Sequence, residues 1–385
     1  MKFSFAGFRR HDGQVGIRNH IAVISTVTCA NRIVQRIGFE DPEVVCIEQS
    51  AGCMSLDDDK VIAHDVLLGM ARNPNVGAVC FVGLGCEQTP AKSLLAEVGG
   101  LKPAEAIAIQ DCGGTEGAVA QCRAFIAEAR KLLANDKRSP CELSELSVAT
   151  KCGGSDWSSA IASNPAVGIV SDRVVYAGGI SLLGESSGWF GAEHVLMRRA
   201  RTDAVCDEIK RILRRRHEAA AQRGKRIDEG NPSPGNIAGG ITTLTEKALG
   251  SIRKSGRSPI EGVLAAGKAP SKKGLWLLDN PSFDPASLAG MAAAGAQLIL
   301  FTTGRGTPVG SPICPVLKIC ASPDGMRRLG GHIDVNISDI VTEGASIESG
   351  ADRIDEAMSA VINGELTHTE RFGCREFVMP QVGVI

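Results

Sequence analysis

The feature that most constrains this chain is an alternation running through its first third. Short apolar runs at 20–28, 44–47, 77–83 and 106–109 each give way to a stretch with helical spacing, at 31–37, 59–72, 90–98 and 117–133. In the second of these stretches Val61, Ile62, Val66, Leu67 and Met70 fall on one face of a helix. Strands that alternate with helices of this length predict βαβ units and a parallel sheet. A second series starts at Ser147-Val-Ala-Thr150 and reaches the apolar run 297–301, with a long basic helix expected at about 192–222. Between the two series lies the polar stretch 134–146, interrupted by Pro140, which reads as a linker. At 385 residues the chain is too long for one ordinary core. The expectation is an α/β fold of two Gly-rich lobes, 1–138 and 139–385, each with a mostly parallel sheet flanked by helices.

In open parallel sheets ligands sit outside the carboxyl ends of the strands. The loops to inspect are therefore Cys29, Ser50–Cys53, Gly85–Gln88, Asp111–Thr115, Lys151–Asp156 and Thr302–Thr307. Composition sharpens this. Gly accounts for 45 residues while aromatics make up only 4%. The fold must rely on tight turns and close backbone approach. Thirteen cysteines follow a start, Met1-Lys2-Phe3-Ser4-Phe5, that is no signal peptide, so a reducing, cytoplasmic setting is expected. No apolar run reaches the length of a membrane span. With 42 basic and 43 acidic residues there is no electrostatic footprint for nucleic acid. The basic run Arg211–His217 reads as a solvated helix face.

Several clusters carry chemistry. Cys53, Cys86 and Cys112 stand beside glycines at strand ends, where thiols either bind a soft or borderline metal or serve as small buried apolar groups. There is no CxxC pair, which argues against a zinc ribbon. Thr150–Asp156 packs Lys151, Cys152, Ser155 and Asp156 around two glycines. It is either an anion-binding loop or a Gly turn with a helix cap at Ser155 or Asp156. Glu185, Glu193 and His194 offer hard ligands for Mg²⁺, Mn²⁺ or Fe²⁺, or else capping and surface charge. Asn231–Gly240, with two prolines, is a long rigid loop, a type more often functional than decorative. Arg305, between Gly304 and Gly306, suits a bidentate grip on a carboxylate. No nucleotide-binding glycine motif follows a strand, and no GxSxG motif is present.

Taken in order, seven strings resemble the altronate/galactarate dehydratase family. They are Gly7-Phe-Arg-Arg-His-Asp-Gly-Gln-Val-Gly-Ile-Arg-Asn-His20, Gly83-Leu-Gly-Cys-Glu87, Lys151-Cys-Gly-Gly-Ser-Asp156, Asn164-Pro-Ala-Val-Gly168, Asn231-Pro-Ser-Pro-Gly-Asn236, Glu246-Lys247 and Phe301-Thr-Thr-Gly-Arg-Gly-Thr307. The resemblance spans nearly the whole chain. It implies a lyase that removes water from a sugar acid to give a 2-keto-3-deoxy acid, with Fe²⁺ or Mn²⁺ stabilising the enediolate. An iron–sulfur cluster held by three cysteines is the alternative cofactor. The matching positions imply metal ligands Cys53, Cys86, Cys152 and Glu185. They imply proton-transfer roles for Lys151, Glu87, Asp156 and Lys247, and substrate contacts from Arg18, Asn19, Ser155, Asn236, Thr303 and Arg305.

Two departures are visible. Single-chain members carry a small β-rich module before the segment that matches Gly7–His20, and this sequence starts almost at that segment. A separate small β-rich subunit is therefore expected as partner, within an oligomer. One split relative, sulfolactate sulfo-lyase, eliminates sulfite from a 2-hydroxy acid and leaves pyruvate. Members of the dehydratase type also tend to have His four residues before the first cysteine, where this chain has Gln49. A non-catalytic subunit that binds a sugar acid is the reading from another class.

Overall fold

The computed structural model of the chain describes residues 4–381. The leader reading above rests partly on Met1-Lys2-Phe3, which lie outside them. The chain opens with β1 (Ser4–Arg9) and β2 (Val15–Gly16), an antiparallel pair. The first parallel sheet follows, from β3 (His20–Ser25), β4 (Val45–Ile47), β5 (Val76–Gly83) and β6 (Ala104–Ala108), in the order β4-β3-β5-β6. Every residue of β5 is buried, as a strand covered on both faces requires. Helices Asn31–Glu40 and Thr115–Leu133 cover one face, and Asp57–Arg72 and Ala91–Val98 the other.

The stretch read as a linker is not merely a linker. It holds β7 (Ser139–Glu142), which pairs antiparallel with β1, Ala6 opposite Pro140. Since β7 is an edge strand, the missing N–H of Pro140 costs no ladder bond.

The second parallel sheet comprises β8 (Ser147–Cys152), β9 (Ile180–Leu183), β10 (Ile260–Ala265), β11 (Gly274–Asp279), β12 (Leu298–Thr302), β13 (Val316–Cys320) and β14 (Val335–Asn336). Their order is β10-β11-β9-β8-β12-β13-β14. From β8 the chain fills one side with β9, then the edge strand β10, then β11 between them, and returns to build β12, β13 and β14 outward on the other side. The loops after β8 and β12 therefore diverge, the geometry of a topological switch point. The expected 192–222 helix is broken into Glu193–Met197 and Asp203–Gln222. Its basic run is not simply solvated: Arg215 and Arg216 both reach Asp279 at the end of β11.

The lobes pack through helices Asp57–Arg72 and Asp284–Ala293. Gly69 makes this approach possible, since a Cβ there would lie 2.3 Å from the Ala293 carbonyl oxygen. Asn75 adds a polar tie. Its side chain accepts from Ile17 N and donates to Gln297 O and Ile313 O. Among the described residues no helix is long and apolar enough to cross a membrane.

Two residues expected at the substrate belong to this framework instead. The Arg18 guanidinium is buried. It pairs with Glu370 at 2.7 Å and donates to the carbonyls of Ile17, Val361 and Glu365. Its donors are spent on holding the C-terminal segment. Asn19 accepts from Arg10 and donates to Asp136.

Candidate active site

At the switch point the loops after β8, β9 and β11, together with residues 227–247, enclose a cleft of about 600 Å³. The β8 loop supplies its floor. Gly153 N donates to Thr302 O, which sets this loop against β12. Gly153 also faces Asp284, and a Cβ there would lie 2.5 Å from its Oδ2. The turn at Gly154 then accepts from the backbone N–H groups of Gly304 and Arg305.

Charge is concentrated under this floor. Lys151, the penultimate residue of β8, is fully buried. Its Nζ lies 2.9 Å from Asp284 Oδ1 and 3.2 Å from Glu185 Oε1, and it donates to the carbonyls of Cys152 and Ser282. Burial alone would lower its pKa, but the carboxylates of Asp284 and Glu185 overturn that and raise it. Lys151 is thus locked as a cation, the opposite of what a general base requires. Glu185 shows the reciprocal effect. Burial would raise it, yet Lys151, Lys254 and the Cys152 N–H bring it down to about 2. Lys254 is also buried, with its Nζ 2.9 Å from Cys152 Sγ and 3.8 Å from Glu185 Oε1.

Lys247 differs. It lines the cleft and donates to Asn231 Oδ1 at 2.7 Å. Burial, with Lys151 and Lys254 nearby, lowers its pKa from 10.5 against the opposing pull of Cys152 and Glu185. The Arg305 side chain has no hydrogen bond or ion pair among the described residues. Its Nε lies 3.6 Å from where a Cβ would sit on Gly235, in the loop that contributes Ser233 and Asn236 to the cleft.

The remaining expected residues divide into struts and outliers. Asn236 accepts from Ser233 and donates to Ser155 O, joining the 231–240 loop to the β8 loop, and both Ser155 and Asn236 line the cleft. Asp156 is a cap: its Oδ1 accepts from Ser158 Oγ, Ser159 N and Ser159 Oγ. Thr303 accepts from Gly306 N and shapes the turn that presents Arg305. Glu87 lies in the first lobe, where its carboxylate accepts from Gly85 N, Thr26 Oγ1 and Ala91 N. Burial would raise its pKa, but these donors lower it, so it stays ionised and engaged. Glu193 and His194 begin the short helix Glu193–Met197.

The expected metal ligands are not assembled. Cys53 and Cys86 are exposed on first-lobe loops joined by Gln88 N donating to Gly52 O. The side-chain partners of Cys152 are Glu185, Ser251 and Lys254. Among the described residues no three His, Cys, Asp or Glu side chains are placed to hold a metal ion. The donor chemistry explains this: Glu185 and Asp284 both neutralise Lys151, and the Cys152 sulfur faces an ammonium. These groups fit neither a divalent ion nor a three-cysteine cluster. Gln49 is buried, with no partner for its Nε2 among the described residues.

Sequence reasoning missed Lys254 and Asp284. Asp284 follows β11, so the strand-end rule finds it once Gly274–Asp279 is read as a strand. Lys254 sits in Arg253-Lys254-Ser255, which looks like any exposed basic turn. A second cavity of about 430 Å³ lies by Ser147 and Ile180, at the amino ends of β8 and β9, where parallel sheets rarely place chemistry.

Comparison with known proteins agrees with the resemblance of the seven strings. Residues 143–385 match the family described as D-galactarate/altronate dehydratase, C-terminal. Residues 7–134 match D-galactarate dehydratase/altronate hydrolase, second domain. The chain is similar to (2R)-sulfolactate sulfo-lyase subunit beta of Chromohalobacter salexigens, with 34% identity over 98% of this chain and 97% of that protein. It is similar to altronate dehydratase of Bacillus subtilis, with 35% identity over 99% of this chain and 78% of the relative. Galactarate dehydratase (L-threo-forming) of Escherichia coli is 31% identical over 90% of this chain and 70% of its own length.

Proposed function

Because this chain belongs to the D-galactarate/altronate dehydratase family, we propose that it is a lyase that eliminates a β-substituent from a 2-hydroxy carboxylate in the cleft at the end of β8. The observation that carries this reading is a pair of groups about one cleft: Lys247, which lines it with its pKa lowered by burial, and Arg305, whose guanidinium donors are unspent among the described residues and which lies against the 231–240 loop bordering it. Arg305 grips the substrate carboxylate as a fork. Its charge then stabilises the enediolate that forms when the C2 proton leaves. Lys247 takes that proton, helped by desolvation that disfavours its ammonium form. The buried Lys151–Glu185–Asp284 cluster fixes the floor on which both groups act.

The first reading of the leaving group is water from a sugar acid, the chemistry named in the altronate and galactarate dehydratase relatives. Hydroxide is a poor leaving group, and Lys247, once protonated, can hand its proton to the C3 hydroxyl. The second reading is sulfite from sulfolactate, favoured by the end-to-end match to a sulfo-lyase subunit. Sulfite leaves without a proton, so that reaction asks only for a base. The word subunit in that relative's name also supports a partner chain, in our reading a small β-rich one. No step here is routed through the Fe²⁺ or Mn²⁺ of the family reading, for which no three His, Cys, Asp or Glu side chains are grouped among the described residues.

The test is to incubate the protein, alone and co-expressed with such a subunit, with altronate, galactarate and (2R)-sulfolactate separately. Appearance of a 2-keto acid supports the lyase, and sulfite release separates the two leaving groups. Binding of one of these acids with no product under any condition would overturn the proposal in favour of a binding subunit.

A further inference from the structure

The elimination proposed above gives no task to the contact between Cys152 and Lys254. The two side chains come from different elements, the end of β8 and the turn Ile252–Ser255, and meet at the cleft floor. Lys254 Nζ lies 2.9 Å from Cys152 Sγ and donates to Ser251 Oγ at 2.7 Å. Lys254 is wholly buried, whereas Cys152 forms part of the cleft wall. A small solute in the cleft therefore lies against Cys152, whose sulfur the Lys254 amine already touches. Glu185 Oε1 stands 3.8 Å from Nζ and 3.7 Å from Sγ. No second thiol is among the side-chain partners of Cys152, so the usual fate of an oxidised cysteine, condensation with another cysteine, has no neighbour to use.

We propose that Cys152 and Lys254 are an oxidative modification site, forming a covalent sulfur–nitrogen cross-link when a hydroperoxide enters the cleft. The first step oxidises sulfur and reduces the peroxide: the Cys152 thiol and H₂O₂ give the sulfenic acid and one water. In the second step the Lys254 nitrogen attacks sulfur. The S–N bond forms, the S–OH bond breaks, hydroxide leaves as water, and the ammonium gives up two protons, one to that water and one to solvent. Two equivalents of an external thiol reverse it, regenerating Cys152 and Lys254 and leaving a disulfide of the reductant. The site shields the sulfur from further oxidation, because the competing amine is already in place.

The test uses the full chain exposed to hydrogen peroxide, then denatured, alkylated and digested with trypsin for mass spectrometry. The expected product joins the Cys152 peptide to the one containing Lys254, at a mass about 2 Da below the sum of the two. Cleavage after Lys254 is lost in step with its appearance, and dithiothreitol restores both peptides. Lys254→Arg keeps the cation but should abolish the cross-link and let dimedone trap Cys152 as its sulfenic acid. Recovery of Cys152 in the wild type as a free thiol, a disulfide or a sulfinic acid, with cleavage after Lys254 intact, would overturn the proposal. That measurement needs no variant to fold and no substrate to turn over.

Discussion

In the first lobe the loops after β4 and β5 carry Cys53 and Cys86 into solvent. In the second, the last residue of β8 is Cys152, placed against a cleft. Both sheets are parallel, both have a switch point, and both place glycine beside cysteine at a strand end. They differ in what converges there. In the first lobe one carboxylate, Glu87, is consumed by the loop's own backbone and by Thr26. In the second, the end of β8, the segments after β9 and β11 and the turn Ile252–Ser255 bring Lys151, Lys254, Glu185 and Asp284 into one charged cluster, with Lys247 lining the cleft and Arg305 beside Gly235 in the loop that borders it. A strand-end cysteine marks a possible site, but the side chains contributed by other strands decide whether there is one.

The sharpest break in this contrast is Lys247→Met. It should lower kcat by about 10²–10⁴-fold with the fold intact by circular dichroism, and an unchanged kcat would remove the base from the cleft. Lys151→Met should act on stability instead. It strands the buried Glu185 and the partly buried Asp284, and urea unfolding should show a loss of about 3–5 kcal/mol. A loss below about 1 kcal/mol would mean that the cluster is not what holds the floor. Arg305→Met should cost about 1.5–3 kcal/mol in kcat/KM, mostly through KM, with Arg305→Lys recovering part of it.

Lys318 offers a smaller effect with a defined sign. It is buried 3.5 Å over the Phe301 ring with no hydrogen-bond partner among the described residues, and burial lowers its pKa from 10.5 to about 7. A lysine depressed on folding costs stability. That cost is full below about pH 7 and fades as pH rises toward 10.5. Lys318→Met should therefore stabilise by on the order of 1 kcal/mol at neutral pH, with the gain shrinking in alkaline buffer. A gain that grew with pH would reverse the assignment. At the bottom of the scale, Cys53→Ser with Cys86→Ser should shift stability by under about 0.5 kcal/mol. EDTA should leave the melting temperature unmoved, and a fall of more than about 4 °C would reveal a resident ion.

The parallel strands were legible because a strand buried on both faces reads as an unbroken apolar run, as in Gly77–Gly83. Glu87, Asp156 and Arg18 show where such reading stops. Each sits in a string shared with the family, and nothing local tells a carboxylate or guanidinium aimed at substrate from one spent on backbone groups. Asp156 was open to either reading, and only the positions of Ser158 and Ser159 decide for the cap. Lys254 was invisible for the reverse reason. Its meaning comes from Cys152 and Glu185, 102 and 69 positions away. The strand at 139–142 was missed because Pro140 and flanking charge mimic a linker when the only partner strand lies at the chain start.

The Arg18 clasp also bears on how the protein is made. Its partner Glu370 lies 352 residues downstream. At about 5–20 residues per second, the two halves of that contact leave the ribosome roughly 20–70 s apart. For that interval the nascent first lobe holds a guanidinium destined for burial with nothing to receive it, so its final closure belongs to the end of translation rather than to its own synthesis.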